Sequence, residues 1–373
     1  NNKGTEDNRV RKLDYSIQIS KLFYERFISN EDITLFSPHD VPGLYDAFGT
    51  DDFDELYVQY ESDESIPRTT IGGQELILEL LKERAETGRI YIMNIDHCNS
   101  HSSFLDKVEM SNLCQEITLP TKPIQHIDDK TGEIALCILS AINVGKIRDA
   151  SDFEILCDLS VRSLDELIDF QGYPVNAAEI ATRARRSLGV GYIGLAHYLA
   201  KQGVKYDDPE AWKIVHELTE SFQYYLIKSS VNLAKEKGAC EYSDRTKYAQ
   251  GILPIDTYKK DVDEIVPNDL LLDWEALRGE VREHGVRNST LSAQMPSESS
   301  SVVSNATNGI EPPRGYLSIK KSKKGPLKQI VPSYGSLKND YTLLWDMPGN
   351  TGYINVVAVM QKFFDQAISG NWS

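Results

Sequence analysis

Ser111-Asn112-Leu113-Cys114-Gln115-Glu116 sets an amide, a thiol and a carboxylate at alternate positions. In an extended chain alternate side chains leave the same face, so Asn112, Cys114 and Glu116 would meet one small ligand. A hydrogen-bonding amide, a sulfur and a potential base would then act on it together. The competing reading is a strand end with a core cysteine, because free Cys is among the most buried residue types.

Three further stretches could carry chemistry. Met295-Pro296-Ser297-Glu298-Ser299-Ser300-Ser301 follows a Ser/Thr-rich segment, 288–294. Small hydroxyl residues at a helix start expose backbone N–H groups and favour an anion, typically phosphate. An ordinary helix cap is the alternative. Asp96-His97-Cys98-Asn99-Ser100-His101 crowds two His and a Cys, yet no second ligand pair stands at a usual zinc spacing. A polar loop after a strand is expected there. Gly189-Val190-Gly191-Tyr192-Ile193-Gly194 has the dinucleotide glycine pattern, which needs a strand before it and an acidic residue closing the next strand. Arg183, Arg185 and Arg186 precede it and a helix-like run from Leu195 follows, so close helix packing is the expectation.

The 373 residues suffice for two or three domains, or for one large barrel-type domain with insertions. Hydrophobic content of 40% and charged content of 26% are those of an ordinary soluble globular protein with a sizeable core. A net charge of −16 argues against a nucleic-acid-binding surface, which needs clustered Lys and Arg. The one basic run, 320–324, lies between apolar-alternating stretches and reads as a hairpin tip. Cys98, Cys114, Cys137, Cys157 and Cys240 are odd in number and form no CxxC, which implies a reducing, cytoplasmic compartment. No apolar run approaches the ~18 residues of a membrane span, and there is no signal peptide. The chain opens on Asn1-Asn2-Lys3-Gly4, as if cut from something longer.

The positioning elements follow from periodicity. Ile19, Leu22, Phe23 and Phe27 predict a helix over 14–29, and Leu76, Ile77, Leu80 and Leu81 another over 74–87, capped by Gly88. Residues 37–43 are a turn-rich loop. Arg89–Ile95 and 113–119 read as strands, and 133–144 is an apolar run holding Cys137. Ser151 and Glu154 form a capping box for a helix to Phe170, with Leu156, Leu159, Leu164, Leu167 and Ile168 inward and Cys157 as inert core. Asp208-Pro209 starts a long helix reaching Gly238, in which Tyr224 and Tyr225 are packing residues. A rigid loop spans 305–315, and a last helix spans 352–368.

Taken together, Leu35–Phe48, Ser111–Glu116, Gly132–Ser140, Gly251–Lys260, Asn288–Ser300 and Ser304–Gly315 resemble the large, catalytic subunit of aerobic class I ribonucleotide reductase. The order and separation of these pieces agree with that family along nearly the whole chain. The resemblance implies an α/β fold, a ten-stranded barrel of two five-stranded halves with a finger loop that carries a cysteine to its centre. Residues 1–373 would be the finger loop and most of the second half. The N-terminal ATP-binding lobe, the effector loops, the first half-barrel and the C-terminal tail would lie outside this chain.

Roles follow motif by motif from the resemblance. Cys114 resembles the thiyl-radical cysteine that takes the 3′ hydrogen of the ribose, a step that needs a dry pocket. Glu116 resembles the base for the 3′-OH proton, and Asn112 the amide that orients the ribose hydroxyls. Leu113 and Gln115 complete that substrate-facing tip. Cys137 resembles one of two thiols that reduce the 2′ carbon and end as a disulfide; its partner would come from the missing half. Pro296, Ser297, Glu298, Ser299 and Ser300 resemble the loop that holds the substrate diphosphate, with Ser299 where the family often has Thr.

The implied reaction reduces ribonucleoside diphosphates to deoxyribonucleoside diphosphates. The radical would come from a di-iron small subunit and electrons from thioredoxin or glutaredoxin, with no cofactor bound by this chain itself. ATP and deoxynucleotide effectors would bind family regions outside it. Alone, the chain is expected to be inactive and to associate through an apolar half-barrel face. A non-catalytic assembly partner for the missing half is the alternative.

Overall fold

The computed structural model describes residues 13–322 and 325–370. The chain divides into two units, residues 1–102 and 103–373. In the first, the elements run β1 (Tyr15–Ile19), α1 (Lys21–Ser29), β2 (Asp32–Phe36), α2 (Leu44–Ala47), α3 (Phe53–Ser62), β3 (Arg68–Gly72), α4 (Gly73–Thr87), β4 (Ile90–Asn94) and α5 (Ile95–Ser100). β1 pairs with β4 in parallel and β2 with β3 antiparallel. Val41, Leu44, Phe53 and Tyr57 form a small core. Tyr57 is held there because its hydroxyl accepts from Thr34 N at 2.8 Å and donates to Thr34 O at 2.7 Å.

Three expectations change in this unit. The helix predicted over 14–29 is a strand followed by a helix: Tyr15, Ile17 and Ile19 suit the parallel ladder, and Ser20 then starts α1 by accepting from Phe23 N at 3.4 Å. α4 ends at Gly88, at φ 64°, as the pattern implied, but Leu81 is 47% exposed. The loop expected at 96–101 is the short helix α5. Among the described residues no group of three or more His, Cys, Asp and Glu is placed to hold a metal ion.

The second unit runs β5 (Ile138–Asn143), α6 (Phe153–Phe170), α7 (Asn176–Arg185), β6 (Leu188–Ile193), α8 (Leu195–Gln202), α9 (Pro209–Lys237), α10 (Pro254–Thr257), α11 (Trp274–His284), α12 (Glu298–Val303), β7 (Leu317–Ser322), β8 (Gly325–Ile330), α13 (Tyr334–Leu337) and α14 (Thr351–Gln361). β7 and β8 form the hairpin read from the basic run; Lys323 and Lys324 at its tip lie outside the described residues. No helix among the described residues is long and apolar enough to cross a membrane.

A wall of parallel segments organises this unit. β5 pairs with β6 in parallel, Ile138 opposite Leu188. β6 continues to 290–294 through a parallel bridge between Val190 and Ser292, and that segment to 366–369 through one between Gln294 and Ile368. Backbone bonds fill the register: Val190 N to Leu291 O at 2.8 Å, Gln366 N to Ser292 O at 3.1 Å and Gln294 N to Ala367 O at 3.1 Å. The fold is mixed α/β, and no closed sheet forms among the described residues.

Alternation along β6 gives the wall two unlike faces. Leu188, Val190 and Tyr192 join the main core with α6, α9 and α14. There the Tyr192 and Phe222 rings meet edge-on at 5.3 Å, and Phe222 stacks on Phe364 at 5.5 Å. The opposite face carries Gly189 and Gly191. A Cβ on Gly189 would stand 2.5 Å from Leu139 Cδ2, 2.9 Å from Cys137 Sγ and 3.2 Å from Ala293 Cβ. One on Gly191 would stand 2.7 Å from Ala293 O and 3.0 Å from Met295 Sδ. These glycines therefore serve close approach within the wall, not the helix packing expected. Gly194, at φ 82°, turns the chain into α8.

α9 runs from Asp208, whose side chain accepts from Glu210 N, to Gly238, as predicted. Tyr224 lies in the core, edge-on to Trp274 at 5.5 Å. α6 is capped differently from the expected box. Asp149 accepts from Ser151 N at 2.9 Å and from Ser151 Oγ at 2.5 Å, and so caps a short 3-10 turn at 150–152 that leads into α6, which itself has no side-chain cap. Cys157 is fully buried core, but Leu159 and Leu167 are exposed. The last helix stops at Gln361 rather than 368, because 366–369 is drawn into the wall.

Candidate active site

The opening motif is a turn, not a strand. Gln115 adopts a left-handed backbone at φ 65°, and its N–H reaches Asn112 O at 3.2 Å. The Asn112 carboxamide closes the turn by accepting from Ile117 N at 3.1 Å, and Ser111 Oγ donates to Ile117 O at 2.8 Å. Such side-chain to backbone bonds compete with a strand ladder, so the strand expected over 113–119 does not form. Nor do Asn112, Cys114 and Glu116 share one face by alternation. Asn112 and Leu113 are exposed, Cys114 and Gln115 half-buried, and Glu116 buried.

Glu116 is the chemically distinctive member. It is 3% exposed, and its Oε2 has no hydrogen-bond partner among the described residues. Burial pushes its carboxyl up from the ordinary value, while hydrogen bonding from its own backbone and from the Asn112 side chain pulls the other way. A buried carboxyl with one free oxygen is suited to exchanging a proton with a bound hydroxyl.

Cys137 stands just before β5, packed over the glycine face. Its thiol is pushed above its ordinary range, first by burial and then by the charges of Asp365 and Glu116; a hydrogen bond from Gln366 opposes them. The sulfur has Gln366 Nε2 at 3.9 Å. Glu116 and Cys137 are joined through one segment of the wall. Ala367 N donates to Glu116 O at 3.3 Å, and the neighbouring Gln366 faces the sulfur. The free thiols Cys98, Cys157 and Cys240 are half-buried, buried and buried.

The same wall leads into the hydroxyl-rich stretch. Segment 290–294 continues through Met295 to Pro296 and then to α12. Ser297 is 5% exposed, makes no side-chain cap bond to α12, and leaves its hydroxyl without a partner among the described residues. Its carbonyl is used instead, accepting from Ser301 N at 2.9 Å. Glu298, Ser299 and Ser300 are exposed, and Pro296 is half-buried. Ser301 is turned inward and its Oγ accepts from Gly309 N at 3.3 Å, which ties α12 to the rigid loop.

Residues that position the site escaped the motif reading. Asp365 is 1% exposed. It accepts from Ser292 N at 2.8 Å, Leu291 N at 3.0 Å and Tyr248 OH at 2.7 Å, clamping two wall segments together. Gln366 contacts Cys137. Both follow Phe363-Phe364, in a stretch whose apolar spacing reads as continuing helix. The sole local hint is a polar pair placed after the last buried aromatics.

Comparison with known proteins identifies the family. The family described as "Ribonucleotide reductase, barrel domain" matches residues 1–339. The ribonucleoside-diphosphate reductase subunit alpha of Haemophilus influenzae is 59% identical over 376 residues, covering 100% of this chain and 50% of the relative. Ribonucleoside-diphosphate reductase 1 subunit alpha of Escherichia coli K12 is 57% identical, covering 100% of this chain and 49% of the relative. The subunit alpha of enterobacteria phage T4 is 45% identical, covering 100% of this chain and 50% of its own length. The chain thus spans about half the length of the curated relatives it matches. Matched along nearly its whole length, it belongs to the ribonucleotide reductase barrel-domain family.

Proposed function

We propose that this chain supplies the C-terminal part of the ten-stranded catalytic barrel of a cytoplasmic ribonucleoside-diphosphate reductase large subunit. Assembled with the remainder of that subunit, it would reduce the 2′-hydroxyl of ribonucleoside diphosphates for deoxyribonucleotide synthesis. The observation that carries the reading is the short path from Glu116 through Ala367 and Gln366 to Cys137. It links a buried carboxyl docked at the 366–369 edge of the wall to a thiol packed over the glycine face of the same wall.

In this reading a small radical-generating subunit oxidises Cys114 to the thiyl form. Cys114 takes the 3′ hydrogen and returns it at the end of the cycle, regenerating the thiyl, and Glu116 takes the 3′-OH proton at Oε2 and gives it back. Asn112 both closes the turn that presents Cys114 and faces the Glu116 carboxyl. Cys137 and a second thiol from the other half supply two electrons and protons to the 2′ carbon as its hydroxyl leaves as water. The two sulfurs end as a disulfide, which thioredoxin or glutaredoxin reduces. Pro296–Ser300 receives the diphosphate. The free, buried Ser297 hydroxyl supports that role, as do the donors exposed at the start of α12.

Co-expression with the complementary half of a subunit, followed by an assay of diphosphate reduction, tests the proposal. Turnover that is lost in Cys114→Ser while the assembly survives supports it. Assembly without turnover in the parent chain would instead mark the chain as a non-catalytic partner.

A further inference from the structure

Gln366 has a polar atom that the fold leaves unused beside a thiol. The residue is 3% exposed. Its backbone N–H serves the wall, donating to Ser292 O at 3.1 Å. Its Nε2 donates to Leu188 O at 2.8 Å and stands 3.9 Å from Cys137 Sγ. Its Oε1 is buried without a partner among the described residues. A carbonyl oxygen accepts only, so Leu188 fixes the NH₂ end of the carboxamide on its own side. The second N–H of that group is then the one available to the sulfur.

The sulfur is confined from the other side. Gly189 offers no Cβ, and Cys137 Sγ fills the space one would occupy, with Leu139 and Ala293 closing around it. Two carboxyl groups, Asp365 and Glu116, also bear on the thiol, and both disfavour its anion. Among the groups that act on the Cys137 thiol, the Gln366 carboxamide is the one that favours the anion.

We propose that Gln366 is a positioning residue for Cys137, fixing the direction of Sγ and donating its second Nε2–H to the thiolate. The inference rests on the reading of Cys137 as a redox thiol and adds the group that controls it. When an external dithiol reduces a disulfide at Cys137, its thiolate attacks the partner sulfur and forms a new S–S bond. The old S–S bond breaks, and its electron pair leaves on Cys137 as a thiolate. The carboxamide meets that charge without gaining or losing a proton, and the thiolate then takes a proton from water. Hydrogen bonds to charged groups are stronger than those between neutral groups, so loss of this one is large enough to read in the chemistry of the thiol.

The test is alkylation of Cys137 by iodoacetamide in this chain, followed by peptide mass spectrometry from about pH 6 to 10, below the titration of this thiol, where the rate follows its thiolate fraction. In Gln366→Leu the rate at Cys137 falls about tenfold at each pH, the equivalent of one unit of thiol acidity, while the rate at Cys114 stays within twofold. In Gln366→Glu, which keeps the volume, the plot of log rate against pH gains a break as the new carboxyl ionises beside the sulfur. A side chain at 366 that does not reach the sulfur gives no such break. A Leu variant within twofold of the parent, rates at Cys137 and Cys114 that fall together, or a Glu variant without the break overturns the proposal. If Gln366→Leu does not fold, as judged by circular dichroism, the Glu variant decides. The readout requires no reductase turnover, so failure here leaves the role of Cys137 standing, and failure of the reductase assay leaves the coupling standing.

Discussion

The backbone N–H of Ala367 donates to the carbonyl of Glu116 at 3.3 Å. This one bond docks the turn that bears Cys114 and Glu116 onto the edge of the parallel wall. The carbonyl rather than the side chain makes this anchor, so the contact with Ala367 does not consume the carboxyl.

Replacing Glu116 by Gln should alter how stability depends on pH. Burial raises the folded-state pKa of this carboxyl above the ordinary 4.5. The folded chain therefore binds the proton more tightly than the unfolded chain, and stability is lost as pH rises through the folded pKa. Glu116→Gln removes that loss. Urea unfolding should show the variant gaining on the parent as pH climbs above the ordinary carboxyl range, with no gain below it. A stability difference that is the same at all pH values contradicts the assignment.

Gly189→Ala should cost about 1–3 kcal/mol, the usual penalty for overpacking a tight interior. The added methyl would stand 2.9 Å from Cys137 Sγ and 2.5 Å from Leu139 Cδ2. Denaturant unfolding measures this, and a shift within ~0.5 kcal/mol, as for an ordinary surface change, would show the glycine face to be roomy.

Asp365→Ala should destabilise the chain by about 3 kcal/mol or more. It leaves the N–H groups of Leu291 and Ser292 and the Tyr248 hydroxyl unpaired in the interior, and each such loss costs about 1–3 kcal/mol before relaxation. Tyr248→Phe removes only one donor and should cost less. Equal effects from the two variants would argue against the clamp.

Much of the helical framework was legible because its signals are local. Gly88 ends α4, and Asp208-Pro209 and Gly238 bound α9, since capping depends on residues within one turn. The face that a helix buries depends on partners far along the chain, so Leu81, Leu159 and Leu167 were placed inward and lie outward. The ordered motifs identified Asn112, Cys114, Glu116, Cys137 and Pro296–Ser300 as candidates. The shape of the motif was hidden, because the turn is set by the Asn112 carboxamide reaching Ile117 rather than by the alternation of residue types. Gln366 and Asp365 were hidden too, since their meaning comes from segments more than seventy residues away, Ser292 in particular.

β5 should make the isolated chain self-associate. It is an edge strand, paired only with β6 among the described residues, and its Leu139 is 42% exposed. Open, apolar strand edges recruit further strands. Sedimentation velocity should reveal concentration-dependent association that disappears when the complementary half of the subunit is present. A monodisperse monomer at all concentrations would contradict the presence of an incomplete wall.

The central claim is that the turn at 112–116 carries the radical cysteine of a diphosphate reductase. Its most direct test is turnover of a ribonucleoside diphosphate by this chain reconstituted with the complementary half-subunit, a radical-generating small subunit and a dithiol. The account predicts deoxyribonucleoside diphosphate from the parent chain and none from Cys114→Ser, with assembly of the variant intact by sedimentation. Undiminished product from Cys114→Ser would contradict it.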